Sequence, residues 1–215
     1  MATSAQAGRV LYEERCASCH GEQGGGTGIG PPIAGLGPAW FDFMLSTGRM
    51  PLDRPTAQAT RKRPAFDRAD IDELIAYLVT LPPGAGTPVP RVDPQFGDVA
   101  RGQQVFELNC AACHSTSGNG GAVGPEVAPS LHVATPTEIG EAVRIGPGTM
   151  PVFDQQAINS DDLNSLTRYV LYLGDPNDRG GAGLNHAGPI IEGFVAIVIG
   201  LGALVLVTRF IGARA

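Results

Sequence analysis

The sequence predicts a mainly α fold, with two tandem helical domains followed by one C-terminal transmembrane helix. Three observations lead there. A nine-residue pattern beginning at Gly8 returns at Gly102, an offset of 94. Each copy is followed, after a Gly/Pro-rich stretch, by an amphipathic segment with apolar residues at helical spacing. The chain then closes with a long uncharged apolar run.

The repeated helix comes first. Gly8, Tyr12 and Cys16 stand at i, i+4 and i+8, as do Gly102, Phe106 and Cys110, so each set lies on one helical face. A glycine there lets another helix cross closely, with the aromatic ring packed into the crossing. The crossing partner in the first copy is Asp70 to Leu78, apolar at i, i+3, i+4 and i+7. In the second it is the segment bearing Leu163, Leu166, Val170 and Leu173, with Ser160, Asp161 and Asp162 as capping residues before it. The expected boundaries are 1–84 and 97–176 for the domains, 85–96 and 177–188 for Pro/Gly-rich linkers, and 189–212 for the membrane helix.

Sixteen uncharged residues run from Gly193 to Thr208, and letting the flanking charges snorkel extends the span to the ~20 residues a bilayer requires. A buried core helix is disfavoured, because both domains already have closing helices and this segment is apolar on every side. Gly193, Gly200, Gly202 and Ala203 would allow close packing on another membrane helix. Arg209 and Arg214 follow the span, so the positive-inside rule places the C-terminus in the cytoplasm and both domains outside.

All four cysteines fall in two Cys-x-x-Cys-His pentads, Cys16 to His20 and Cys110 to His114. This is the attachment pattern of c-type haem: two thiols add to the vinyl groups, and the adjacent histidine ligates iron. A zinc site wants four ligands and each pentad supplies three. A thioredoxin-like pair would accompany a βαβ pattern, which is absent. Two covalently bound haem c groups are therefore expected, in two tandem class I cytochrome c domains followed by one C-terminal transmembrane helix. Thirty Gly and eighteen Pro suit this architecture, since a macrocycle can serve as the core around which loops wrap. Haem attachment outside the cytoplasm implies export. Met1 to Ala7 shows no basic or apolar leader, so a segment removed before this start is expected.

An electron-carrying haem needs a second axial ligand. Met50, in Gly48-Arg49-Met50-Pro51, and Met150, in Gly148-Thr149-Met150-Pro151, share a loop context directly before proline. Met44 competes for the first iron, but it lies in the amphipathic stretch Phe41 to Leu45, where methionine is ordinary core. His132 and His186 are assigned surface roles. The expected iron ligands are thus His20 with Met50 and His114 with Met150, and thioether ligation raises the potential. Proximal histidines donate their other ring N–H to a carbonyl, for which Pro31 and Pro129 are the candidates.

Net charge is −6, concentrated in the middle of the chain. Residues 91–188 carry five Lys/Arg against eleven Asp/Glu, whereas 1–90 carry eight against nine. That balance argues against nucleic acid and for docking on a cationic protein surface. No catalytic acid, base or nucleophile stands out. A dihaem peroxidase, which needs one open iron, is disfavoured by the paired methionines. An anchored dihaem cytochrome serving another oxidase or dehydrogenase remains the alternative.

Ser46 to Pro51, Phe66-Asp67 leading into Ile71-Asp72, Gly97 to Gly102, Leu108 to His114 and the ending Ile211 to Ala215 together resemble one family. It is the dihaem cytochrome c subunit of the actinobacterial-type cytochrome bc1 (bcc) complex, and the resemblance spans essentially the whole chain. It implies a subunit of a quinol–cytochrome c reductase in the plasma membrane, beside a cytochrome b subunit and a Rieske iron–sulfur subunit. Electrons would pass from the Rieske centre through two haems to the dicopper centre of an aa3-type oxidase. The resemblance carries Cys16, Cys19, His20 and Met50 to the first haem, and Cys110, Cys113, His114 and Met150 to the second.

Overall fold

The computed structural model describes residues 4–55, 57–83, 86–177 and 189–213. His186, Arg179 and Arg214, and most of the expected linker 177–188, lie outside these residues. The first domain holds α1 (Ser4–Arg15), α2 (Ala17–His20), α3 (Pro38–Ser46) and α4 (Arg68–Leu78). A 3-10 turn at Pro94–Phe96 leads into α5 (Val99–Asn109), α6 (Ala111–His114), a hairpin of β1 (Gly121–Val123) and β2 (Glu126–Ala128), α7 (Pro136–Ile145) and α8 (Ser160–Gly174). The C-terminal helix runs as α9 (Pro189–Val195), a π-helical stretch Ala196–Leu201 and α10 (Gly202–Gly212).

In each domain the helix leading into the pentad crosses the closing helix, α1 on α4 and α5 on α8. The glycines make the crossing possible. A Cβ on Gly8 would lie 1.8 Å from the Glu73 carbonyl oxygen, and one on Gly102 would lie 2.0 Å from that of Ser165. One turn later the aromatic fills the crossing. Tyr12 and Phe106 are both fully buried, and they meet Tyr77 and Tyr169 at ring-centroid distances of 5.4 and 5.5 Å. The remaining apolar positions of the closing helices, Ile71, Leu74 and Leu78 against Leu163, Leu166 and Val170, complete two matching cores.

Side-chain caps start these helices. Asp67 accepts from Asp70 N for α4, Asp98 from Arg101 N for α5, and Asn159 from Asp162 N for α8. The α8 cap is thus Asn159, one residue before the expected Ser160 to Asp162. Asp161 and Asp162 sit in the first turn instead, where they complement the helix dipole.

Two elements lie inside stretches read from sequence as plain Gly/Pro wrap or loop. The β1–β2 hairpin pairs Val123 with Glu126 around Gly124-Pro125, and Gly124 takes the positive φ of 58° that a two-residue hairpin loop demands. Helix α7 is opened by Pro136 at its first turn and a capping box between Thr135 and Glu138.

The two domains pack through α3 and α7, where Ala39, Phe43 and Ile145 are buried together with Met44 and Ala142 against them. Arg61 reaches Glu138 at 2.5 Å. The Gln58 side chain pairs with the Val127 backbone as a strand would, donating to its carbonyl and accepting from its N–H. The connecting segment is held at both ends. Thr87 exchanges backbone bonds with Leu36 and Ala39, and Asp93 N donates to Asn164 Oδ1.

Glu192–Gly212 forms one continuous helix long and apolar enough to cross a membrane, and none of it is buried against the rest of the chain.

Candidate functional site

Each pentad folds as a single helical turn after a break at its first cysteine. The N–H of Cys19 and of His20 donate to Cys16 O at 3.1 and 2.9 Å, and those of Cys113 and His114 donate to Cys110 O at the same two distances. None of the four cysteines is in a disulfide. Burial pushes Cys16 and Cys110 up to about 11, with the neighbouring cysteine adding to the effect. That shift is opposite to the depressed value of an activated redox thiol.

The backbone beyond each histidine repeats residue for residue. The positions one, four and six after it have positive φ: Gly21, Gly24 and Gly26 in the first domain, Ser115, Gly118 and Gly120 in the second. Gly26 N donates to His20 O, and Gly120 N to His114 O. Ile33 N donates to Gly24 O, and Leu131 N to Gly118 O. These bonds curl the wrap back over the histidine and deliver a proline carbonyl to its ring. His20 Nδ1 lies 2.8 Å from Pro31 O, and His114 Nδ1 lies 3.0 Å from Pro129 O. An N–H on Nδ1 leaves the lone pair on Nε2, the nitrogen free for a metal. For the buried His114, loss of solvent also lowers the pKa, keeping the imidazole neutral. The two prolines stand 11 and 15 residues after their histidines, because the second wrap contains the hairpin.

Met50 packs against the same hydrophobic cluster as Cys16 and Ala17, and Met150 against the one containing Cys110, with Ala111 packed on it. Met44 packs elsewhere, on the interdomain cluster of Ala39, Phe43 and Ile145. A cleft of about 460 Å³ lies between α1 and the Met50 loop, lined by Leu11, Arg15, Pro51, Ala65, Phe66 and Asp70 among others.

Several residues that brace these loops escaped the sequence reading. Lys62 Nζ donates to Pro51 O at 2.9 Å, and Arg144 Nη1 donates to Phe153 O and Asp154 O at 2.8 and 2.9 Å. A cation thus clamps the chain just after each methionine. Thr149 donates to Glu126, tying the second methionine loop to the hairpin. Tyr12 Oη donates to Gly21 O at 2.6 Å, and burial raises this phenol to about 12. His132, expected on the surface, is half-buried and bonded through Nε2 to Ser117 O at 2.7 Å, so it fastens the wrap internally. The signal missed for α7 was its Thr-Pro-x-Glu opening. The clamps carried no sequence signal, because their acceptors are backbone carbonyls.

The residues fit a c-type haem. Two thiols and an imidazole share one turn, the histidine tautomer leaves Nε2 available, and a thioether lies on the same core. Buried Arg49 Nε and Arg144 Nη2, beside the two methionine loops, have no partner among the described residues and are placed to serve an anionic edge. Among the described residues, no three His, Cys, Asp or Glu side chains converge to hold a metal ion by themselves.

Comparison with known proteins agrees with this class. Residues 5–82 match the cytochrome c family, and residues 97–170 match the family described as cytochrome c oxidase, cbb3-type, subunit III. The fold is thus two cytochrome c domains, which bind haem c covalently, followed by an apolar C-terminal helix. A cytochrome bc1 complex cytochrome c subunit of Mycobacterium tuberculosis is 37% identical over 216 residues, covering 96% of this chain and 77% of that protein. The same subunit of Corynebacterium diphtheriae is 32% identical over 228 residues, covering 97% and 80%. Among solved structures, reduced cytochrome c4 from Pseudomonas stutzeri aligns over 79% of this chain and 98% of its own, at 20% identity and a TM-score of 0.28. The chain belongs to the family of cytochrome c subunits of the cytochrome bc1 complex.

Proposed function

We propose that this subunit binds two haem c groups and relays electrons from a Rieske iron–sulfur centre to the dicopper centre of an aa3-type oxidase. The first group would be held by Cys16 and Cys19 with His20 and Met50 on the iron, the second by Cys110 and Cys113 with His114 and Met150. Pro31 and Pro129 would orient the two imidazoles. The domains would span 1–84 and 97–176, joined by 85–96 and tethered through 177–188 to the membrane helix 189–212.

Bound haem supplies the one-electron chemistry. The chain's own part is to fix the ligands. Each Pro carbonyl holds its histidine in one tautomer, and Lys62 and Arg144 keep the methionine loops from swinging. A ligand set that does not move between oxidation states keeps reorganisation small. The methionine loops braced on each core favour an electron carrier over a peroxidase, which needs an open iron.

The observation that carries this reading is the duplication of the whole site, from pentad turn to Nδ1–carbonyl bond, in a member of the bc1 family. The partners implied are a cytochrome b subunit, the Rieske subunit and the oxidase, in the plasma membrane. The haem domains would lie outside and the C-terminus, after Arg209, in the cytoplasm. Purification of the membrane complex in mild detergent through this chain tests it. Recovery of cytochrome b and Rieske subunits, with two haems per chain by pyridine haemochrome assay, is expected. Recovery of the chain alone, or with one haem, overturns it.

A further inference from the structure

Glu141 is 0% exposed, and neither of its carboxyl oxygens has a hydrogen-bond donor among the described residues. It stands on α7 of the second domain and faces Asp42 on α3 of the first, within hydrogen-bonding reach. The nearby cations make their hydrogen bonds to other groups, although Arg49 Nε is buried without a partner among the described residues. Arg68 from α4 binds Asp42 and Asp72, each at 2.5 Å. Arg61 binds Glu138, whose Oε2 also accepts from Thr135 N. Arg49 donates to Ala59 O and lies over the Phe43 ring. None of them donates to Glu141.

Two carboxylates that face each other are both acceptors, and burying them ionised would place two negative charges in an apolar interface. Asp42 has its counter-ion in Arg68, while Glu141 is in no ion pair among the described residues and feels Arg68 only at longer range. The donor missing from the pair is a hydrogen. We propose that Glu141 and Asp42 form a proton-binding site between the two cytochrome domains, in which a proton carried by Glu141 and shared with Asp42 clasps α7 to α3. The proton is taken from solvent as the domains dock and returned when they part. The site does not depend on which proteins donate or accept electrons.

The electrostatics agree with the geometry. Burial, and then the Asp42 charge, push Glu141 up to about 9 from the ordinary 4.5; Glu138 adds to the rise and Arg68 opposes it. The sign follows from linkage. Docked Glu141 keeps a proton that the undocked carboxyl would release, so docking is strongest below the ordinary carboxyl value. It weakens as pH rises from there to about 9, and above that no further loss occurs.

The test uses the full haem-loaded chain in detergent, with two readouts. Infrared spectroscopy across a pH titration reads the carbonyl stretch of a buried carboxylic acid. Hydrogen exchange of α7 amides, corrected for intrinsic rate, reads docking. The wild type is expected to show the acid band at pH 7, losing it only as pH approaches about 9, with α7 protection falling ~10-fold or more over that range. Glu141→Gln should lack the band and keep its protection at alkaline pH, because the amide donates to Asp42 without titrating. Asp42→Asn supplies a donor to Glu141, so the band should vanish at a lower pH than in the wild type. An ionised Glu141 at pH 7 overturns the proposal. So does the same alkaline loss of protection in wild type and Glu141→Gln, or an unmoved titration in Asp42→Asn.

Discussion

Gly102 lies so close to Ser165 that a methyl group on its Cα would stand 2.0 Å from the Ser165 carbonyl oxygen. The contact is backbone against backbone, so no side-chain rotation relieves it. Gly102→Ala must push α5 and α8 apart at the point where Phe106 meets Tyr169. The expected cost is ~2–3 kcal/mol of stability, read as a lower denaturation midpoint of the second domain. Gly200→Ala is the control. Among the described residues nothing outside its own helix lies within 4 Å of that position, so the midpoint should not move.

Ser115 is the one described residue other than glycine with a positive φ, at 60° with ψ near 161°. Its counterpart in the first domain is Gly21. That region of backbone space belongs to glycine, and a side chain there is strained. Ser115→Gly should therefore stabilise the second domain by ~1 kcal/mol, after allowance for the added freedom of the unfolded chain. A denaturant titration that shows a loss of stability would contradict the strain.

On the proposed ligation, Met150→Ala should make the second haem high-spin and lower its potential, since thioether ligation raises it. Met50→Ala should do the same for the first. Met44→Leu should leave both spectra and both potentials unchanged, because Met44 packs on the interdomain cluster. Spectropotentiometry of the three variants separates the assignments, and an unchanged Met150→Ala spectrum refutes that ligand.

The Arg101 guanidinium lies 2.7 Å from Asp162 and holds its carboxyl below the usual value, the hydrogen bond being the larger cause. A depressed carboxyl value contributes stability above the ordinary range, and the contribution is lost as pH falls through the depressed value. Asp162→Asn should therefore lower the denaturation midpoint slightly at neutral pH, and the gap to the wild type should close in acid. A gap that persists below the range where carboxylates titrate would assign the effect to packing.

Much of this was legible from spacing. The pentads, the Gly8/Gly102 pattern and the apolar end are periodic local signals, and local geometry follows from them directly. The Nδ1 partners could be named because a proximal histidine needs an acceptor and a proline carbonyl stood in each wrap. What escaped depends on partners remote in sequence. Lys62 and Arg144 act on backbone carbonyls, which have no sequence signature. Glu141 lies in a stretch read from sequence as loop, and its burial depends on α3 of the other domain being laid across it. The hairpin was hidden for another reason, since Gly-Ala-Val-Gly-Pro-Glu-Val-Ala is too short and too glycine-rich to show alternation.

The hairpin tip has a practical use. Gly124 and Pro125 are exposed, and none of the described residues approaches within 4 Å of a Cβ placed on Gly124. The first domain closes its wrap with a tighter Thr27–Gly30 turn at the corresponding place, so the duplicated loop has already tolerated one change of length. An affinity tag or fluorescent peptide inserted there, with the glycine kept at its φ of 58°, would ride outside the haem wrap. Such a handle could capture the intact membrane assembly without touching either terminus.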